Sequence, residues 1–448
     1  AEDGIRDFCL SRGLGDVYKR QNLLRPCSDT RFLENAFVVI DGDEFLSVGT
    51  TEPEGEFEEV LDCGGKFALP GLINAHHHLY SALAVGMPPP AKTPLNFTQI
   101  LEEVWWKLDL ALDHDATQAS FEAGLIDSLK AGTTTVIDHH CSPSFIEGSL
   151  SLLGDTGKKL GIATGLAFEV TDRNGQELFE RSLQENLDAA EKHSQDQELA
   201  ALLGLHASFT LSEESLKKVA EVHSKRSNWG IHTHLSEDRA DEEDARNRGH
   251  ASVVERLNHF GLINQSAMLI HGVHSLESDA ELIQKHKAHL VHNPTSNANN
   301  RIGMLSNQAA ERMKPGLGTD GMQSNMIREA KEGMLIRSSH MSAGDAGVDY
   351  QAILFDHNPR IASAVFGRSI GRVEPGYRAD LAIYDYHPRT EVHSDNVFGH
   401  VFFGLGEPCD VMTGGLMRVQ NHHLQGIDEQ AAKQEAAEQS RKLWQRMQ

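Results

Sequence analysis

The sequence predicts an α/β protein, a (β/α)8 TIM barrel carrying a small, discontinuous β-sandwich domain. Short apolar strand candidates alternate with helix-length segments eight times beyond Pro70, the pattern of repeated βα units on a parallel sheet. Turn-punctuated, strand-like text lies on both sides of that stretch. The 448 residues suit a barrel of about 250 residues plus a second, smaller unit.

Taken in order, residues 1–21, AEDGIRDFCLSRGLGDVYKRQ, look unrelated to the rest of the chain and are read as a leader foreign to the fold. Between 37 and 67, β-prone runs are broken by turn residues. In FVVIDGDEFLSVG the Asp41-Gly42 pair sits between apolar stretches as a hairpin turn would. Residues 22–69 and 374–425 are therefore assigned to one composite β-sandwich domain.

The barrel is assigned to 70–373, with strand candidates at 72–78, 134–140, 165–170, 202–207, 230–234, 268–271, 289–293 and 316–320. After the last barrel helix, around 361–366, VEPGYRADLAIYDY returns to turn-plus-strand text. Segment 426–448 reads as a C-terminal helix, because Leu443, Trp444 and Met447 are spaced for one face.

Composition narrows the function. Lys and Arg number 41 against 65 Asp and Glu, a formal charge of -24, which works against binding nucleic acid or an anionic membrane. A small neutral or cationic substrate fits better. No apolar run is long enough to span a bilayer. The five cysteines are scattered, odd in number and lack a CxxC pair. Neither a disulfide framework nor a thiolate zinc site is expected, and a reducing cytoplasm is the expected compartment.

The chemistry lies at strand ends. In PGLINAHHHLYS, His76 and His78 are two apart and point to one side while His77 points to the other. Two neutral imidazoles so placed can hold a divalent metal, although an isolated HxH is more often structural. WGIHTHLSEDRA ends a second strand with His232 and His234 and adds Glu237. A glutamate in a partly dry pocket has a raised pKa and can deliver a proton.

MLIHGVHS offers His271, with His274 beyond it, and KPGLGTDGMQSN offers Asp320, a carboxylate able both to ligate and to take a proton from water. These residues sit at the ends of strands one, five, six and eight, on the face where barrels of this type build their sites. Asp138, His139 and Glu169, from the loops after strands two and three, are candidate substrate contacts. Adjacent Trp105 and Trp106 read as packing, with stacking on a planar ring as the alternative.

The strings PGLINAHHH, HLSE, IHG and GTDG, in that order, resemble the amidohydrolase superfamily, in its cytosine, guanine and triazine deaminase-like group. Longer strings, WWKLDLALD (105–113), TTVIDHHCSPSFIEGSLSLL (134–153), EVTDRNG (169–175) and HNPTSNANNRIG (292–303), resemble the SsnA-type aminohydrolases within it. The resemblance runs from Asn22 to the C-terminus. It departs from the family pattern at the opening strand, where the leader-like text stands.

This resemblance implies a barrel of the metallo-dependent hydrolase type with one divalent metal per chain, zinc or alternatively iron, bound by His76, His78, His234 and Asp320. It implies Glu237 as proton donor, His271 beside the activated water and the developing negative charge, Asp320 as proton acceptor, and His206 of LGLHASFT as a substrate contact. The implied reaction is hydrolytic deamination of an aminated N-heterocycle, a purine, pyrimidine, pterin or triazine, with release of ammonia. A homodimer is implied as well. No lysine ends strand four, which favours one metal over two. Hydrolysis of another non-peptide C–N bond (cyclic amide, formimino or substituted amine), and a non-catalytic scaffold on the same fold, stay open as alternatives.

Overall fold

The computed structural model describes residues 15–28, 31–226, 228–341 and 347–448. Its N-terminal strands are β1 (Asp16–Leu24), β2 (Phe32–Asp41), β3 (Glu44–Gly49), β4 (Val60–Asp62) and β5 (Phe67–Pro70). The parallel strands come next as β6 (Leu72–His77), β7 (Thr133–Asp138), β8 (Ala163–Leu166), β9 (Leu199–Ala201), β10 (Leu203–Ala207), β11 (Ile231–Leu235), β12 (Met268–His271), β13 (His289–His292) and β14 (Gly316–Leu317). The chain then returns through β15 (Leu381–Tyr384), β16 (Asp410–Thr413), β17 (Leu416–Gln420) and β18 (His423–Leu424).

One sheet gathers both ends of the chain in the order β18-β17-β16-β15-β5-β1-β2-β3, with β4 beside β1. The two segments meet where β5 and β15 pair antiparallel, Ala382 opposite Leu69. Val38, Ile40, Phe45, Leu381 and Met412 fill its core. The hairpin at Asp41-Gly42 forms as expected between β2 and β3, with Gly42 at φ 61°, a conformation glycine adopts without steric cost.

The leader reading is corrected for residues 16–21, and residues 1–14 lie outside the described residues. β1 pairs with β2, β4 and β5, and Val17, Tyr18, Leu23 and Leu24 are buried. The β-domain therefore has an opening strand, at the place where a departure from the family pattern was expected. Its alternation is hidden because Arg20 takes a positive φ of 56° and the register shifts around Gln21. An irregularity of this kind moves later side chains to the other face.

In sequence β7 is TTTVID, buried at every position, as a strand with helices on its outer face and the packed ring interior on its inner face must be. The pairings run β6-β7-β8-β9 and β10-β11-β12-β13-β14. Only Leu202 separates β9 from β10, so these form one kinked strand, and a parallel bridge between His77 and Asp320 joins the far seam. The result is a closed ring of eight parallel strands. Asn358 ties the same seam, accepting from Leu317 N at 2.7 Å and donating to Ile73 O at 2.8 Å.

Ala75, Ile137, Ala167, Met268, Ile270 and Val291 pack the interior. The β-domain is fastened to the barrel by Arg378, whose guanidinium binds Asp380 at 2.5 Å, Glu198 at 2.5 Å and Gly161 O at 3.0 Å. The helix Glu429–Arg446 lies against the helix His114–Lys130, with Leu443 buried and Trp444 Nε1 donating to Leu83 O at 3.0 Å. Among the described residues, no helix is long and apolar enough to cross a membrane.

Candidate active site

The alternation of β6 sends His76 and the following His78 inward and His77 outward. His77 Nδ1 donates to Asp320 O at 2.6 Å, in the seam with β14. The rings of His76 and His78 lie edge to face with centroids 4.8 Å apart. From β11, His232 and His234 reach the same space. His232 Nε2 lies 2.9 Å from His76 Nδ1, and His234 Nε2 lies 3.1 Å from His78 Nε2.

Backbone carbonyls fix the tautomers of the last pair. His78 Nδ1 donates to His139 O at 2.6 Å, and His234 Nδ1 donates to His206 O at 2.9 Å. As a neutral metal ligand each ring would keep its only hydrogen on Nδ1 and turn a bare Nε2 toward the other; without a metal, burial lowers the pKa of His78 but Asp320 outweighs it and raises it to about 9. Asp320 Oδ1 completes the group at 2.9 Å from His78 Nε2 and 3.3 Å from His76 Nε2.

Lone pairs that face one another at this distance, beside a carboxylate, fit a divalent cation of the kind that imidazole and carboxylate bind. A ligand-spaced group is formed by His76, His234, His271 and Asp320, and a second by His78, His139 and His234. The four expected ligands are thus gathered in one place, and His271 and His139 approach with them.

His271 Nδ1 donates to Asn297 Oδ1 at 2.8 Å. Its Nε2 has no hydrogen-bond partner and lies 3.5 Å from Glu237 Oε2. With Nδ1 as donor its Nε2 presents an acceptor to the site, and with Nδ1 accepting from Asn293 Nδ2 at 3.3 Å it presents the donor expected beside developing negative charge. Burial, with the charges of Asp320 and Asp241 adding to it, pushes Glu237 well above the usual carboxylate range. Burial acts on Asp320 in the same sense, but the rings of His76 and His78 against its Oδ1 outweigh it and hold Asp320 well below that range. Two neighbouring carboxyls driven apart in this way are suited to acid and base roles.

Non-glycine residues with positive φ cluster here: Ser236 at 48°, His271 at 77° and Asp320 at 54°. Each such conformation costs on the order of 1–3 kcal/mol and persists only where surrounding contacts impose it.

A pocket opens above this cluster. It is lined by His78, His206, His234, Glu237 and Asp320 together with Glu169 and Asp109. Its apolar wall includes Phe97, Leu101, Trp105 and Trp106, so the tryptophans face the pocket as well as packing. His206 and Glu169 stand where a substrate contact was expected.

Asp138 and His139 do not line the pocket, which corrects their expected place. The register of β7 sends Asp138 Oδ1 to Leu79 N at 2.6 Å and His139 Nε2 to Leu205 O at 3.1 Å. Both are fully buried and brace the turn that carries His78. His274 is also outside the pocket, bonded to Ile302 O at 3.0 Å.

The helix Pro294–Asn300 supplies residues that strand-end reasoning missed. Ser296 donates to Asp320 Oδ2, Asn297 fixes His271, and Asn300 donates to Glu237. Their only signal is the run of small polar residues in HNPTSNANNRIG.

The profile of the amidohydrolase family matches residues 67–415, a span that contains the whole ring and every residue of the cluster. The chain belongs to the amidohydrolase family. Within it, a 5-methylthioadenosine/S-adenosylhomocysteine deaminase of Thermoanaerobacter pseudethanolicus is 25% identical over 422 residues, covering 92% of this chain and 95% of the relative. An adenosine deaminase of Xanthomonas campestris with bound zinc has the same fold, with a TM-score of 0.83 at 17% identity, covering 96% of this chain and 98% of that one. Atrazine chlorohydrolase TrzN of Arthrobacter aurescens TC1, complexed with zinc, has a TM-score of 0.79 at 18% identity, covering 95% and 100%. The amidohydrolase fold expected from the strand-end motifs is therefore the one observed.

Proposed function

We propose that this amidohydrolase is a metal-dependent hydrolytic deaminase acting on an aminated N-heterocycle, with zinc as the metal. The observation that carries the reading is the convergence of the bare Nε2 atoms of His78 and His234 with Asp320 Oδ1, next to a glutamate that burial keeps protonated. The 25% identical relative, named a deaminase of adenosine derivatives, supports a purine nucleoside or a similar heterocycle as substrate.

His76, His78, His234 and Asp320 would hold the cation. When bound it supplies Lewis acidity that brings the pKa of water to about 7. Asp320, kept ionised by its histidine neighbours and by Ser296, accepts the proton of the attacking water. Glu237 delivers its proton to the ring nitrogen beside the attacked carbon. His271 Nε2, an acceptor 3.5 Å from Glu237 Oε2, orients that acidic hydrogen and the incoming water. The proton held by Asp320 then leaves with the amine as ammonia, and the hydrogen on the added oxygen returns to Glu237 as the carbonyl forms. Trp105, Trp106, Phe97 and Leu101 exclude water and favour a planar, apolar ring.

The test is ammonia release from a panel of aminated purines, purine nucleosides, pyrimidines, pterins and triazines, with Glu237→Gln as the control. A homodimer and a cytoplasmic location belong to the same reading.

A further inference from the structure

Two segments that follow β6 supply one wall of the pocket. The short helix Leu79–Ala84 contributes Tyr80 and Ser81, and the helical stretch 97–111 contributes Phe97, Leu101 and both tryptophans. That stretch is continuous but not uniform. From Leu101 to Trp105 it widens into a π-helical turn, with Trp106 N bonded to Leu101 O. Turns of this kind are rare inside helices and recur at functional sites, and they depend on contacts that fix the helix at its ends.

One end is held from outside the pocket. Ala111 is the last residue of the stretch, and a helix leaves its final carbonyls without intrahelical donors. Arg446 Nε donates to Ala111 O at 2.7 Å, and Arg446 Nη1 lies 2.9 Å from Asp113 Oδ2. Asp113 also accepts from Ala116 N at 3.0 Å, capping the next helix. One guanidinium thus ties the pocket wall to the start of the helix His114–Lys130, and its charge complements the dipole at the end of the wall helix. Two residues earlier, Trp444 Nε1 donates to Leu83 O at 3.0 Å, near the end of the segment that begins beside His78.

The C-terminal helix has other seats. Leu443 is buried in the same apolar cluster as Leu83, Leu108 and Leu112, and at the opposite end Glu429 pairs with Lys130 Nζ at 2.7 Å. The donors of Trp444 and Arg446 go instead to the two wall segments.

We infer that Trp444 and Arg446, outside the pocket, are positioning residues for substrate binding that hold segments 79–84 and 97–111 in the arrangement presenting the aromatic wall. The inference rests on reading the pocket as the substrate site. Without either donor a ligand must order the wall as it binds, so the loss of affinity is capped by the net worth of the hydrogen bond removed.

The experiment combines hydrogen exchange with calorimetry on metal-loaded, full-length protein in the Glu237→Gln background, where turnover does not deplete ligand. The variants are Trp444→Phe, which keeps a packed ring and removes the donor, Arg446→Ala, and Arg446→Lys, which keeps a charged donor. The probes are adenosine, adenine, cytosine and melamine. Exchange should quicken in 79–86 for Trp444→Phe and in 97–113 for Arg446→Ala, and stay unchanged in ring strands such as β12. The tightest-binding probe should bind about 3- to 10-fold more weakly to each of these two variants, with metal content unchanged. Arg446→Lys should recover part of the loss.

Unchanged exchange in both wall segments, faster exchange across the whole barrel, unchanged affinity, or no binding by any probe overturns the inference. Ammonia release by the unaltered protein is recorded separately. Silence there, with affinity still dependent on Trp444 and Arg446, removes the deaminase reading and leaves their role standing.

Discussion

His78 and His234 face each other through Nε2 atoms 3.1 Å apart, while a backbone carbonyl holds the Nδ1 hydrogen of each ring. The arrangement would make both rings ready ligands before any cation arrives. Replacing either by alanine is expected to lower metal affinity by on the order of 100-fold or more, beyond the loss typical for removing an outer-shell partner. Elemental analysis after dialysis checks this. Full metal loading in both variants would remove them from the ligand set.

Glu237 is expected to act in its protonated form, because burial raises its pKa. A required acid is active below its pKa, so activity should fall as pH rises through the raised value. Glu237→Gln should lose roughly 10²–10⁴-fold in kcat, keep its metal, and no longer show that alkaline limb. A pH–rate profile of both proteins tests the assignment, and an unchanged alkaline limb in the variant would transfer the acid role elsewhere.

Arg378 and Asp380 are 2% and 1% exposed and directly paired, and Arg378 also reaches Glu198 and Gly161 across to the barrel. Arg378→Ala leaves the buried Asp380 carboxylate without its cation. A loss of about 3–5 kcal/mol is expected, measured as a shift in denaturant midpoint.

Val17 and Tyr18 are buried in the β-sheet. Removing residues 1–21 should therefore destabilise the protein by roughly 2–4 kcal/mol, from the apolar area lost, again read from the denaturation midpoint. Equal stability of the shortened and full chains would restore the view that this stretch lies outside the fold.

The contrast between β1 and β6 shows how far local patterning reaches. Along β6 the period of two survives to the strand end, so the inward pair His76 and His78 and the outward His77 could be read directly. Along β1 the irregularity at Arg20 and Gln21 breaks the period, and the mixed polar text passes for a leader. Asp138 and His139 illustrate a different limit. Their strand end was legible, but whether a buried side chain meets the pocket or the neighbouring backbone depends on register with β6 and β10, which no local pattern encodes. The partners of Ser296, Asn297 and Asn300 lie on or beyond other strands, so only the closed ring shows what their polar run is for.

If a metal held by these residues lets the protein remove an amino group from a heterocycle, ammonia release must depend on that metal. The decisive experiment measures release across the heterocycle panel by protein of known metal content, before and after chelation and metal return. About one metal per chain is expected, with release that chelation abolishes, that the returned metal restores, and that Glu237→Gln loses. Metal-loaded protein that releases no ammonia from any panel member, or release that persists at full rate after the metal is stripped, would contradict the deaminase reading.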